Sequence, residues 1–339
     1  MAKHSDLPAL LSSKGSERPL RIAVSWDQSG EEAVHLAGWL AQSLPADIRV
    51  ITTAPRPWPQ FRSTASKKYK KWFENTLDER THAVRRAMKH HVPSRAWDKE
   101  FLVFRDGKPR NKLLKEEIQR FDADLVLFGS KPKAAEGRFV PASATDILLR
   151  SAPASIGIIP RGTKLSKKGI TRVNFAFLDT EEAARSSTRG IGLAAALALT
   201  LDVELRIMAF SPEETYNFDD DLTHRPLVDE WNEASLALLD RAWDVVMNVA
   251  QDLNIKDPHA ELKNFEVETR VSAGEGWCTV VDSQQWKKGD LLFVDSSPQS
   301  KTRSGYVHVG PHTAEFLSYA PVPVIVLSLI HISEPTRLL

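Results

Sequence analysis

Asp27 closes the apolar run Ile22–Asp27, and Gly129 closes the run Asp124–Gly129. If both runs are strands of an open parallel sheet ordered 3-2-1-4-5, both residues face one crevice. Such sheets bind ligands there, outside the carboxyl ends of the strands, where the strand order reverses. A glycine at that place lets backbone N–H groups approach a phosphate oxygen with no Cβ in the way. Ser130 and Thr145 add hydroxyls. Asp27 has two readings, a ligand contact or a cap for the turn and helix that follow.

Other chemistry is poorly supported. There is no serine nucleophile elbow, no Walker A run and no metal-hydrolase motif. His82, His90 and His91 lie on or just after one predicted helix, where a histidine complements the C-terminal dipole. They lack a cysteine or carboxylate at ligand spacing, so no metal is expected. Cys278 stands beside Trp277 in a predicted helix and is expected in the core. The run Lys67–Trp72 reads as a solvated helix face with Tyr69 or Trp72 turned inward. Asp219–Asp221 lacks the calcium-loop pattern. Trp58, in the rigid loop Arg56–Pro59, is expected to pack.

The elements that would position these residues occur twice in the same order. A strand ending in aspartate, Ile22–Asp27 or Val173–Asp179, precedes an alanine-rich helix, Gly30–Leu44 or Glu181–Thr200. A second strand follows, Ile48–Thr52 or Val203–Phe210, then a charged helix, Lys67–His91 or Leu227–Leu253. A third strand leads to Gly107 or Gly274, and a short helix leads to a fourth, Asp124–Phe128 or Asp290–Val294. Each half closes with a helix, an Ala-Pro and a fifth strand ending at Ile159 or Val326. Strands that are apolar throughout suit a parallel sheet covered on both faces, and alternation with helices predicts βαβ crossovers. A lysine-rich linker, Arg161–Gly169, joins the halves.

Composition agrees. The 339 residues suit two domains, and 42% hydrophobic with 26% charged residues suits globular cores. A formal charge of +1 gives no field that would gather nucleic acid or anionic lipid. One cysteine excludes an internal disulfide. The longest nearly apolar run, Ile191–Leu201, is about half of what a membrane span needs. A cytoplasmic protein is expected. Residues 327–339 begin with a run that reads like a translated library adapter, so the domain proper is expected to end at Val326.

The segment Asp124–Ile159, with its strand, glycine, helix and Ala-Pro strand, resembles the C-terminal half of a universal stress protein domain. Asp290–Val326 is its second copy, and the likeness covers about residues 18–326. The resemblance implies an α/β protein of two tandem doubly wound domains, 18–160 and 170–326. Each would have a five-stranded parallel sheet, and the pair would join through their last strands as a pseudo-dimer. A further homodimer is left open.

ATP-binding members of that family carry Gly, two residues, Gly, nine residues, then Gly-Ser or Gly-Thr, and place the first-strand aspartate near adenine and ribose. Carried to the first copy, the pattern falls on Gly129, Pro132, Ala142 and Ser143. Gly129 and Ser143 fit. Pro132 has no N–H to donate, and Ala142 adds a methyl, tolerable where its backbone dihedrals suit. The second copy has Asp295 for the first glycine and Pro311 for the Ser/Thr. A carboxylate about 4 Å from a phosphate charge costs roughly 4 kcal/mol at an effective dielectric of 20. The expected cofactor is therefore ATP or another adenine nucleotide, bound weakly, in the first domain only, through Asp27, Gly129, Ser130 and Ser143. No catalytic residues are expected, and a protein partner of unknown identity is. The rival readings are a nucleotide hydrolase or nucleotidyl-transfer enzyme in the same crevice, and a partner-binding regulator that ignores nucleotide. The first-strand loop, Ser25–Gly30, lacks the adjacent glycines of pyrophosphatase-loop adenylating enzymes.

Overall fold

A computed structural model describes residues 18–26, 30–57, 66–178, 188–213, 233, 236–237, 240–251, 265–296 and 309–327. Asp27, Trp58, Asp179 and Asp219–Asp221 lie outside the described residues.

The first half runs β1 (Leu20–Trp26), α1 (Glu32–Ser43), β2 (Ala46–Ala54), α2 (Lys67–His91), β3 (Trp97–Asp106), α3 (Arg110–Phe121), β4 (Leu125–Gly129), α4 (Ser143–Leu149) and β5 (Ser155–Ile159). The second runs β6 (Arg172–Phe177), α5 (Thr188–Leu201), β7 (Glu204–Glu213), helical residues at 240–251, β8 (Val267–Glu275), α6 (Gly276–Asp282), β9 (Asp290–Asp295), α7 (Pro311–Tyr319) and β10 (Val324–Leu327). All ten strands form one sheet, ordered β3-β2-β1-β4-β5-β10-β9-β6-β7-β8. Each half thus has the expected 3-2-1-4-5 order. The pairs within each half are parallel, and β5 meets β10 antiparallel, with Gly157 opposite Ile325. The tandem chain is its own pseudo-dimer. Strand β10 runs one residue past Val326: Leu327 pairs with Asp295 and accepts the Ser296 N–H at 3.2 Å.

Both faces of the sheet carry one core each, and each core crosses the seam. On one face, α1, α2, α5 and the helical residues 240–251 cover Ile22, Val24, Phe175, Phe293 and Ile325. On the other, α3, α4, α6 and α7 cover Ala23, Phe128, Ile156, Met208, Leu292 and Val324. Burial on both faces is the reason the strands read as unbroken apolar runs. Helix α2 is mostly exposed and buries only Val84, Ala87 and Met88. Ser66 caps it by accepting the Tyr69 N–H at 3.2 Å, and Lys89, His90 and His91 meet its C-terminal dipole. Tyr69 turns inward, and its hydroxyl donates to Asp106 at 3.2 Å.

One expectation fails. Cys278 is exposed rather than core. Helix α6 sends Trp277, Val280 and Val281 into the sheet, and the helical period leaves Cys278 outside, 3.3 Å from Asp282.

Candidate functional site

The carboxyl ends of β1, β2 and β4 open into a cavity of about 590 Å³, within the range of small-molecule sites. Ser25 and Trp26 come from β1, Thr53 from β2, and Phe128 and Gly129 from β4. Helix α4 presents Ser143 and Thr145 at its first turn, and Lys108, Arg110 and Asn111 close the side beyond β3. The structure therefore brings together Gly129, Ser130 and Ser143 of the expected set. Asp27 is the fourth, and it lies outside the described residues.

The loop from Ser130 to Ala142 is tied to itself. Ser130 is buried, and its hydroxyl oxygen accepts the Val140 N–H at 2.9 Å. That bond leaves the Ser130 proton to donate. The Lys131 N–H is spent on the Val140 carbonyl at 2.9 Å, so backbone donors at this point serve the loop. Ala142 has φ −68° and ψ 158° as the N-terminal cap of α4. That is ordinary extended backbone, so no glycine is required and the extra methyl causes no backbone strain. Pro132 offers no N–H.

Sequence reasoning missed the cations. Among the described residues, Lys108, Arg110 and Lys131 line the cavity, against the carboxylate of Glu32. Arg110 is oriented by donating to Thr53 Oγ1 at 2.9 Å. Positive side chains thus stand where the loop lacks backbone donors. The signal was present: Lys108-Pro109-Arg110 follows Gly107, directly beyond the end of a strand in a parallel sheet.

The second domain differs at the corresponding strand end. Gly129 ends β4 and Asp295 ends β9. A Cβ at Gly129 would find Ala33 N, in the first turn of α1, at 3.6 Å. The Asp295 carboxylate already lies at the first turn of α5, against Gly190, and both its oxygens are shut off from solvent. A carboxylate there complements the positive helix end and takes the place an anionic ligand would need. Pro311 opens α7 at the position of Ser143.

A sequence model described as the universal stress protein family matches residues 20–160. Universal stress proteins of Mycobacterium bovis and Mycobacterium tuberculosis are each 23% identical over 310 residues, covering 88% of this chain and 95% of theirs. Residues 20–160 match the universal stress protein family, and the similarity to the mycobacterial relatives runs through both halves of the chain. The crystal structure of a universal stress protein from Archaeoglobus fulgidus has the same fold, with a TM-score of 0.55 and 14% identity, covering 91% of this chain and 98% of that one.

In this two-domain chain, the loop that walls the first crevice is also held by the second domain. Arg138 donates to the Tyr319 carbonyl at 3.0 Å, lies 5.1 Å over the Tyr319 ring, and comes within 3.9 Å of Asp282. Within the first domain, Gly137 N–H donates to Arg161 at 2.8 Å, and Arg161 donates back to the Ala134 carbonyl at 2.7 Å. The end of α4 joins in, because Leu149 accepts the Val309 N–H at 3.0 Å. Among the described residues, no helix is long and apolar enough to cross a membrane.

Proposed function

We propose that the chain is a universal stress protein that acts without turnover, through partners, and binds an adenine nucleotide weakly in its first domain alone. The domains are residues 18–160 and 170–326, and the protein is cytoplasmic. Asp27 is assigned to the adenine and ribose. Gly129 leaves room for the phosphates, while Ser130 and Ser143 donate hydroxyls to them. Lys108, Arg110 and Lys131 would supply the charge that Pro132 and the occupied Lys131 N–H fail to supply.

The single observation that carries this reading is the contrast between Gly129 and Asp295 at matching strand ends. One leaves the helix end open to an anion; the other covers it with a carboxylate. Charge-assisted contacts from flexible side chains bring side-chain ordering costs, which fits weak rather than tight binding.

The test is calorimetric titration of MgATP and MgADP into the full chain. Saturable heat with one site per chain is expected. Absence of heat at millimolar nucleotide, with the protein folded, would remove the nucleotide and leave a partner-binding scaffold.

A further inference from the structure

A second cavity, of about 260 Å³, lies on the opposite domain, bounded by Arg172, Arg206, Glu268, Arg270, Ser272 and the segment Ser283–Gln285. Among the described residues, its walls carry three arginines against one glutamate, with the hydroxyls of Ser272 and Ser283. The register explains this: Arg206 pairs with Asn174 on one side and Glu268 on the other, so their side chains share a sheet face. Further along β7 the same face carries Met208 and Phe210 of the core.

The charges around Arg206 pair off and leave it only a share of one carboxylate. Arg172 makes a two-pronged bond to Asp290 at 2.8 and 2.7 Å. Lys287 takes Glu204 at 3.0 Å. Glu268 receives Arg270 at 2.6 and 2.5 Å. Arg206 donates Nε to Asn174 at 2.7 Å and Nη1 to the Gln285 carbonyl at 3.3 Å, both neutral acceptors. Among the described residues it pairs with Asp290 Oδ2 at 3.6 Å, an oxygen already held by Arg172 and the Lys287 N–H. Arg206 is 2% exposed, and its Nη2 has no hydrogen-bond partner. Burial, with the charge of Arg172, lowers its pKa to about 10, so it stays charged at neutral pH. A buried charge whose carboxylate is shared with a second arginine and lies beyond hydrogen-bond distance is incompletely compensated, and that is costly.

The first domain shows the same place completed. Arg21 lies opposite Asp47 as Arg172 lies opposite Glu204, and Arg49 stands where Arg206 stands. Arg49 donates twice to Asp98, at 3.0 and 2.7 Å, and also meets Glu100 at 3.2 Å. Each arginine rests on a ring, Arg49 on Phe121 and Arg206 on Trp286. The one element missing beside Arg206 is its own carboxylate.

We propose that the cavity beside Arg206 is a binding site for a small oxyanion, a carboxylate or an inorganic phosphate, which supplies the counterion that Asp98 supplies to Arg49. The cavity is below the size of drug-sized ligand pockets, roughly 300–1,000 Å³, so the ligand is small. The site is independent of the nucleotide crevice.

The experiment is thermal melting of the full chain in sodium phosphate, sodium acetate and sodium chloride at matched ionic strength and pH. The Arg206→Met variant runs beside it, because phosphate also stabilises proteins non-specifically. The wild type is expected to melt several degrees higher in phosphate, acetate or both than in chloride. The variant is expected to lose that excess while melting no lower than wild type in chloride. Equal melting of wild type in all three salts, or an undiminished excess in Arg206→Met, overturns the site and leaves a hydrated arginine. Should the variant fail to fold, the Trp286 indole N–H resonance of the wild type decides: a saturable shift on adding phosphate or acetate supports the site, and its absence overturns it. Which anion acts tells a phosphate site from a carboxylate site.

Discussion

Asp295 lies against Gly190 so closely that a methyl group on Gly190 would collide with its Oδ1 and with the Phe175 ring. The glycine lets a strand-end carboxylate reach the first turn of α5. In the first domain, Gly129 leaves the first turn of α1 uncovered. One exchange, glycine for aspartate at a strand end, separates an open helix terminus from one occupied by the protein itself.

Gly129→Asp is expected to abolish nucleotide binding without unfolding the protein. A Cβ there meets Ala33 at 3.6 Å, an ordinary contact, and the carboxylate would lie at a positive helix end. Repulsion of about 4 kcal/mol from a phosphate about 4 Å away corresponds to roughly three decades in affinity. Gly129→Ala should bind within a few-fold of wild type. Calorimetry on both variants, with melting curves, checks this.

Gly190→Ala should destabilise the second domain by about 1–3 kcal/mol through overpacking. Adding Asp295→Gly should recover part of the loss, because the clash with Phe175 remains. A denaturant-melt double-mutant cycle measures the coupling.

Arg138→Ala removes a bond to the Tyr319 carbonyl and a cation–π contact across the seam. The expected loss is about 1–2 kcal/mol. Faster proteolysis of the loop 130–142 than of wild type is the more telling result, since that loop walls the crevice. Unchanged cleavage would separate the loop from the seam.

Asp290→Asn breaks the buried pair with Arg172 and leaves two neighbouring arginines without their shared carboxylate. Removing one partner of such a pair costs about 3–5 kcal/mol. Chemical denaturation of wild type and variant gives the value.

Stability should fall as pH drops below the ordinary histidine range. Burial, then the charges of His91 and His90, lowers the pKa of His35. The His35 and His91 rings are 4.7 Å apart, and His91 and His90 4.5 Å. A group whose folded pKa is depressed binds its proton more readily in the unfolded chain, so acid favours unfolding. The contribution is present above about 6.5, the free histidine value, and is lost as pH falls through the folded pKa. His35→Gln should flatten that part of a stability profile measured from pH 7.5 to 5.

The repeat and the ten strands were legible from the amino-acid sequence, because burial on both sheet faces forces unbroken apolar runs; the strand order was an expectation that came with the family resemblance. Gly129 and Ser130 at the crevice were legible too, since a parallel sheet sends all its strand ends to one side, and Ser143 was placed there by the loop pattern of the family resemblance. The fate of Cys278 was not legible, because beside a tryptophan both orientations of a short helix look alike in sequence.

What only the tertiary structure decided is which charges meet. Lys108 and Arg110 lie in a different segment from Lys131, and only the crossovers bring them to one cavity. Arg49 and Arg206 occupy equivalent strand positions, yet their partners differ. The β2–β3 pairing shifts register between Ile48 and Val50, and Asp98 lies within that irregular stretch. Pairing of β7 with β8 runs without a shift past Arg206, and Glu268 bonds to Arg270 on its own strand. Three extra residues on β3 between the pairs Ile48–Trp97 and Val50–Leu102 redirect its side chains, over the range in which an ion pair exists or does not. Apolar burial depends on pattern and is written along the chain; the pairing of charges depends on register, and register belongs to the folded sheet.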